Sequence, residues 1–463
     1  MYFKILMISV FLLVKCYSSE LLAPKTDSIR FSVVDFGAVA DGTTDNTASF
    51  NRAIKEASIK GGKVFIPAGK YLIKVSLYLK GVSLEGENIA PRSWEPLNGT
   101  IILAAGGRDN ENGPALFEMR NSSAVSGISV YYPEQSIDDI HPYPWTFHIG
   151  SNSADSTVFD CTIENVTLIN SYNGIHAGPN ENGRHRINSV FGCVLRRGIF
   201  VESVGDIGRI ENVQFHCHFW GSPATNGDFW KAFKYMQENC EAFIIGRSDW
   251  EYMTNTFVFP AKIGYHFIHT ENGSWSGSCN GQFSGIAADA TESCIDVESI
   301  QSQGLLITNG QFNSHLAGRS TQIIVEKGCE GNIRFTNCGF WGPVKQNVQV
   351  LGNSYVSFFN CYFSSNNVSK DPANPSWSII AEDGKLQVQN CTFDGTQTDE
   401  VKQWTYSGAK RRPESIWLRK GVKSAIITGN NGYSGVSIKN EIGKRAIIEQ
   451  NEKPIKQLSE NDK

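Results

Sequence analysis

Two stretches of this chain place carboxylates, guanidinium groups and an indole at matching offsets from an apolar run. Gly198-Ile199-Phe200-Val201 is followed by Asp206 and Arg209, and Ala242-Phe243-Ile244-Ile245 by Arg247, Asp249, Trp250 and Glu251. Asp206 lies eight residues past the start of its run and Asp249 seven past the start of its own. If the runs are equivalent strands on neighbouring levels, these carboxylates stand roughly 5 to 10 Å apart. That separation suits a reaction in which one carboxyl group stays protonated and gives up its proton while another stays ionised. Asp249 and Asp206 are the candidate acid and base, Glu251 a further candidate, and Arg247 and Arg209 the cations that would tune them and orient a substrate. A third run, Gly174-Ile175-His176-Ala177, aligns with the other two and leads to His185, a candidate substrate contact that, with Arg247, would lead in a lyase; His216 or His218 could carry a proton, since an imidazole titrates near neutral pH. The plainer alternative is that Asp206 with Arg209, and Asp249 with Arg247, are ion pairs that tie loops.

A fourth stretch runs from Tyr131 to Trp145 and carries Glu134 and two rigid Pro-aromatic units, with Tyr143 and Trp145 as flat apolar faces. Glu134 is a candidate acid or base there, and Tyr143, Trp145 and Trp250 are candidate stacking surfaces. Phe215-His216-Cys217-His218-Phe219 holds three groups that bind metals, but in a strand Cys217 faces away from both histidines, so no zinc site is expected. Glu202, Asp206 and Asp249 are the oxygen donors a calcium ion would use, without the spacing of a calcium loop. No metal site and no cofactor are therefore assigned. Asp289, Glu292, Asp296 and Glu298 read as solvated turns.

Such residues must be held by a scaffold, and the chain announces one. A phrase made of a turn-forming residue, a small residue, an outward side chain and an inward hydrophobe starts at Asn165, Asn212, Asn280, Asn309, Asn337, Asn360 and Asn390. A variant begins at Gly192, and the last five Asn are 29, 28, 23 and 30 residues apart. A recurrence of this length, carried by short strands, is one coil of a solenoid. Asn tolerates the left-handed backbone needed at each bend. Cys338, Cys361 and Cys391 fall on one inward position and read as stacked apolar thiols rather than a disulfide framework. Ahead of the solenoid, Asp45-Asn46-Thr47 can cap a helix whose stripe is Phe50, Ala53, Ile54 and Ala57 and whose end is Gly61-Gly62. An amphipathic helix here would cover the open end of the stack.

The same opening carries a resemblance. Val34-Asp35-Phe36-Gly37-Ala38, Asp41-Gly42-Thr43-Thr44-Asp45, Phe50, Ala53-Ile54 and the run Gly61 to Tyr71 resemble the entry signature of the pectate-lyase-like superfamily, in its branch related to polygalacturonase-type glycoside hydrolases. The resemblance implies an all-β chain, a single-stranded right-handed parallel β-helix with an N-terminal capping helix, and a polysaccharide substrate, usually an acidic plant or algal glycan. It does not choose a reaction, since members include hydrolases, lyases, epimerases and phage tailspikes. Polygalacturonases carry Asn-Thr-Asp, Asp-Asp, Gly-His-Gly and Arg-Ile-Lys in successive coils, and this chain lacks that ordered set. Its Asp138-Asp139 doublet sits alone in a Pro-rich loop.

Composition agrees with a large β-protein: 463 residues, 11% aromatic, 44 Gly and only 19% charged. A net charge of -4 gives no long-range attraction to nucleic acid or anionic membrane. Lys4 followed by the apolar stretch Ile5 to Val14 is too short to span a bilayer and reads as a secretory leader over residues 1–18, with lipidation at Cys16 as the lesser option. The expected layout is leader 1–18, β-helix 30–450 and a polar tail 451–463, in a secreted, periplasmic or cell-surface protein of unassigned oligomeric state. The favoured activity is glycoside hydrolysis by paired carboxylates. The alternatives are a polysaccharide lyase acting by β-elimination, with which calcium would enter, and a non-catalytic glycan-binding spike or adhesin.

Overall fold

Between the first and second strands of most coils one residue bends the chain in the left-handed region. Asn165, Asn212, Asn255, Asn309, Asn337, Asn360 and Asn390 all have φ between 52° and 55°. Their amides ladder from coil to coil: Asn337 Nδ2 donates to Asn309 Oδ1 at 2.7 Å, and Asn212 Nδ2 to Asn188 Oδ1 at 3.0 Å. A short side chain that tolerates this conformation and bonds its own neighbours is what the bend selects. Two copies of the phrase were misplaced by sequence. Asn280 lies within the strand Cys279–Ser284, level with Trp250, and the bend of that coil is Gly285 at φ 63°. The variant at Gly192 also falls inside a strand, with Ser189 at φ 55° making the bend.

The computed structural model describes residues 29–454 apart from 152, 154–155, 272–274, 315–319, 343, 365–376, 395–413 and 433–434. The leader read at 1–18 and the last nine residues of the tail lie outside the described residues. Every pairing between strands is parallel, and three stacked sheets wind around one core in the expected right-handed β-helix. Phe312, Phe340, Phe363 and Phe393 stack along the axis at 5.3, 4.8 and 5.0 Å, the inward ladder that the repeated phrase foretells. Cys338, Cys361 and Cys391 are free and buried behind their asparagines. Helix α1 (Thr47–Lys60) buries Phe50, Ala53, Ile54 and Ala57 against the first coils, with Asp45 Oδ1 accepting from the Thr47 N–H at 3.0 Å.

A second helix, α2 (Phe229–Asn239), was not foreseen. It belongs to an insertion after the strand Arg209–His216, where Cys217–Trp220 forms a 3-10 turn in place of the continuous strand expected over 215–219. Among the described residues no helix is long and apolar enough to cross a membrane.

The third sheet positions the groove described below. It comprises Leu77–Leu79, Phe117–Met119, Trp145–Ile149, the C-terminal parts of Thr162–Ala177 and Arg186–Val201, then Glu241–Ile245, Ile263–Phe267 and Ser293–Val297. Register places Ile175, Ile199 and Phe243 in one inward row, so the three aligned runs are equivalent strands. The adjacent outward row reads Glu118, His148, His176, Phe200, Ile244, His266, Asp296.

Candidate functional site

Parallel stacking repeats one side-chain position about every 4.8 Å, so polar residues in one outward row must interact. Glu118, His148 and His176 do so at successive levels. The rings of His148, His176 and Phe200 stack at 5.5 and 5.0 Å, and Trp145 lies against His176 at 5.1 Å. Arg197 stands over the Trp145 ring at 4.9 Å, donates to Asn173 Oδ1 at 3.2 Å, and pairs with Glu111. Glu118, His148, His176, Trp145, Arg197 and Pro179, with the loop from Glu111 to Ala115, line a cavity of about 400 Å³.

Each histidine is backed by a carboxyl group, and the two pairs differ in charge. His148 Nε2 lies 2.7 Å from the Gly178 carbonyl oxygen, which only accepts, so Nε2 carries a proton. Its Nδ1 lies 2.8 Å from Glu118 Oε2. Burial alone would raise the Glu118 carboxyl, but His148, the Ala115 N–H at 2.8 Å and Arg120 at 3.1 Å outweigh it and hold the group at about 2. Glu118 is therefore a carboxylate, and both ring nitrogens of His148 face oxygen atoms.

His176 is the opposite case. Its Nε2 meets Glu202 Oε1 at 2.9 Å, while Nδ1 has no protein partner among the described residues. Burial, reinforced by repulsion from His148 and Arg197, pushes its pKa well below the ordinary range. Burial likewise raises Glu202 to about 7 against the opposing pull of Arg197, and Glu202 Oε2 is buried without a partner. The groove thus presents a neutral, carboxyl-oriented imidazole beside a second histidine tied to a carboxylate and a carbonyl, with one carboxyl group held low and the other raised, the separation of environments that acid–base chemistry uses. Arg120 and Arg197 are the guanidinium groups beside this row, paired with Glu118 and Glu111 respectively.

Of the residues proposed from sequence, Trp145 lies in this groove and the others do not. Asp206 and Asp249 do sit on neighbouring coils, since Val204 pairs with Ser248. Asp249 is held by Arg247 and Gln301, both at 2.8 Å, and Arg247 lies under the Trp275 ring at 5.3 Å. Exposed Asp206 has Arg184 at 3.9 Å as its ion-pair partner, while Arg209 lies over Tyr252 at 5.8 Å on the first sheet. Glu251 and His185 require correction. Both are completely buried, paired at 3.0 Å inside the core, with Ser248 Oγ donating to Glu251 at 2.7 Å. They meet because Gly208, on the coil between them, has no side chain: a Cβ there would stand 2.3 Å from His185 and 2.5 Å from Glu251. Tyr143 is also core, packed on Tyr132 at 4.8 Å, and Glu134 is a surface group 3.8 Å from Arg108. Trp250 is exposed at φ 61°. Asp296 belongs to a strand, where burial, eased by His266, raises it to about 6; it is not a solvated turn.

Residues 30–97 match the family described as rhamnogalacturonase A/epimerase, pectate lyase-like. A mannuronan C5-epimerase, AlgE5 of Azotobacter vinelandii, is 32% identical over 98 residues, which cover 18% of this chain and 10% of that enzyme. The chain is a parallel β-helix whose first coils are similar to the pectate-lyase-like family. Among solved structures, the N-terminal fragment of gene product 12 of bacteriophage Phi29 superposes with TM-score 0.60 at 13% identity, over 87% of this chain and 66% of that one. The pre-mature form of that product gives TM-score 0.59 over 88% and 53%. At such identity these two likenesses concern the fold.

Proposed function

We propose that this pectate-lyase-like chain is an exported carbohydrate-active enzyme that binds an acidic polysaccharide along the third sheet and removes the C5 proton of a uronate residue. The observation that carries this reading is His176: an imidazole that burial keeps neutral, oriented by Glu202, with Nδ1 unpartnered among the described residues at the edge of a groove that holds Arg197. When Glu202 is ionised it accepts the Nε2–H and leaves the Nδ1 lone pair as the base, the arrangement by which a carboxylate fixes a histidine tautomer. Arg197 would neutralise the uronate carboxylate, which acidifies C5, and Trp145 would carry the sugar face. Delivery of a solvent proton to the opposite face gives epimerisation, and loss of the 4-linked sugar, its oxygen taking a proton from water as it leaves, gives β-elimination. The similarity to a mannuronan C5-epimerase over 98 residues supports the same substrate class.

Hydrolysis is the second reading, favoured by the separation of Glu118 at about 2 from Glu202 at about 7. Glu118 then has to act as base while already accepting from Ala115, Arg120 and His148. The test is incubation with alginate, polygalacturonate and neutral glucans, following reducing ends and unsaturated uronates together, with His176→Gln alongside. Unsaturated product or altered uronate composition, abolished by the substitution, is expected. New reducing ends alone, retained by His176→Gln, would overturn the reading.

A further inference from the structure

The insertion between Arg209–His216 and Glu241–Ile245 builds something the groove does not use. Its 3-10 turns Cys217–Trp220 and Pro223–Thr225 and helix α2, with the loop that carries Trp94, border an open hollow of about 540 Å³. Trp94, His218, Ser222, Pro223 and Phe229 line it, and it shares no lining residue with the groove. Trp94 is 95% exposed, the most exposed large apolar side chain among the described residues, and Trp230, edge-on to Phe229 at 4.9 Å, is also exposed.

This surface is rigidly held. Trp220 Nε1 and Tyr131 Oη both donate to the Thr225 carbonyl, at 2.9 and 3.0 Å, and Asp228 caps α2 through the Lys231 N–H at 2.9 Å. It is also uncharged. No carboxylate, lysine or arginine lines the cavity, and burial lowers the pKa of His218 and that of its neighbour His216, the latter to about 3. A preformed, electroneutral, aromatic-walled hollow of this volume with hydroxyl and imidazole groups at its rim matches a sugar ring without charge.

We propose that this cavity is a second carbohydrate-binding site, which seats an uncharged pyranose residue on the face of Trp94 and holds a neutral glycan on the protein independently of the groove. The test is affinity electrophoresis of the full chain through gels containing β-glucan, xylan or mannan, and through gels containing alginate or polygalacturonate. Retardation in at least one neutral gel is expected. Trp94→Ala should weaken it roughly tenfold or more, as loss of a central aromatic contact does, while turnover of short uronate oligomers is unchanged. His176→Gln should leave the retardation intact, so failure of the groove reading and failure of this one are separable. No retardation in any neutral gel, or retardation that survives both Trp94→Ala and Trp230→Ala, overturns the proposal. So does conversion of a dimer to a monomer by Trp94→Ala in sedimentation, which would assign the surface to a second copy of the chain.

Discussion

Replacing Glu202 by Gln isolates the carboxyl group behind His176 and has opposite consequences for activity and stability. In the folded chain burial raises Glu202 from its ordinary 4.5 to about 7. The native state therefore holds the proton more tightly than the unfolded chain does. The resulting stability is fully present below 4.5 and is lost as pH rises through about 7. The gap corresponds to at most about 3 kcal/mol. Gln cannot ionise, so the variant should lack this slope: similar to the parent near pH 5, and more stable by up to about 3 kcal/mol near pH 8. Activity should move the other way. A base at Nδ1 needs Glu202 ionised, so kcat/KM of the parent should rise with pH through about 7, and the variant should lose roughly 10²- to 10⁴-fold together with that limb. Urea midpoints at the two pH values and a pH profile on the best uronate substrate measure both. Equal loss of stability at both pH values, or an unchanged acid limb in the variant, would refute the argument.

Arg197→Ala removes the cation over Trp145 and should raise KM for a uronate polymer more than it lowers kcat, with little change toward neutral probes. Gly208→Ala drives a methyl group into the buried His185 and Glu251 pair and should destabilise the fold by about 3 kcal/mol or more, read as a lower urea midpoint. Asn337→Ala loses both the ladder bond to Asn309 and a residue suited to φ 55°, and about 1 to 2 kcal/mol of stability should go with them. Asp249→Asn, by contrast, should leave turnover within a few-fold of the parent, because Asp249 is tied to Arg247 and Gln301 rather than to the groove.

The fold was legible because a solenoid writes each constraint many times. Left-handed Asn, buried Cys and the inward Phe ladder recur coil after coil, so errors at Asn280 and Gly192 did not disturb the architecture. The site was less legible. Equivalence of the runs at 174, 198 and 242 was correct, yet attention then passed to the turns after them, and inward or outward parity was not followed. Parity separates Glu251 and His185, which face the core, from His176, which faces the groove. A signal for the missed residues was present in the triplets Phe117-Glu118-Met119, Phe147-His148-Ile149 and Ile175-His176-Ala177, each a polar residue between two apolar ones. What sequence did not convey is that Glu202 reaches back one coil to His176, and that the loop carrying Glu111 closes over Arg197. These depend on loop paths that no periodicity encodes.

The central claim is that His176 exchanges a carbon-bound proton. Incubation of the purified chain with alginate and with polygalacturonate in deuterium oxide, followed by NMR of the recovered uronate residues, reads that step directly. Deuterium at C5, or 4,5-unsaturated uronate at new chain ends, present with the parent and absent with His176→Gln, is the predicted result. Cleavage that leaves C5 unlabelled and saturated, at equal rates in parent and variant, would contradict it.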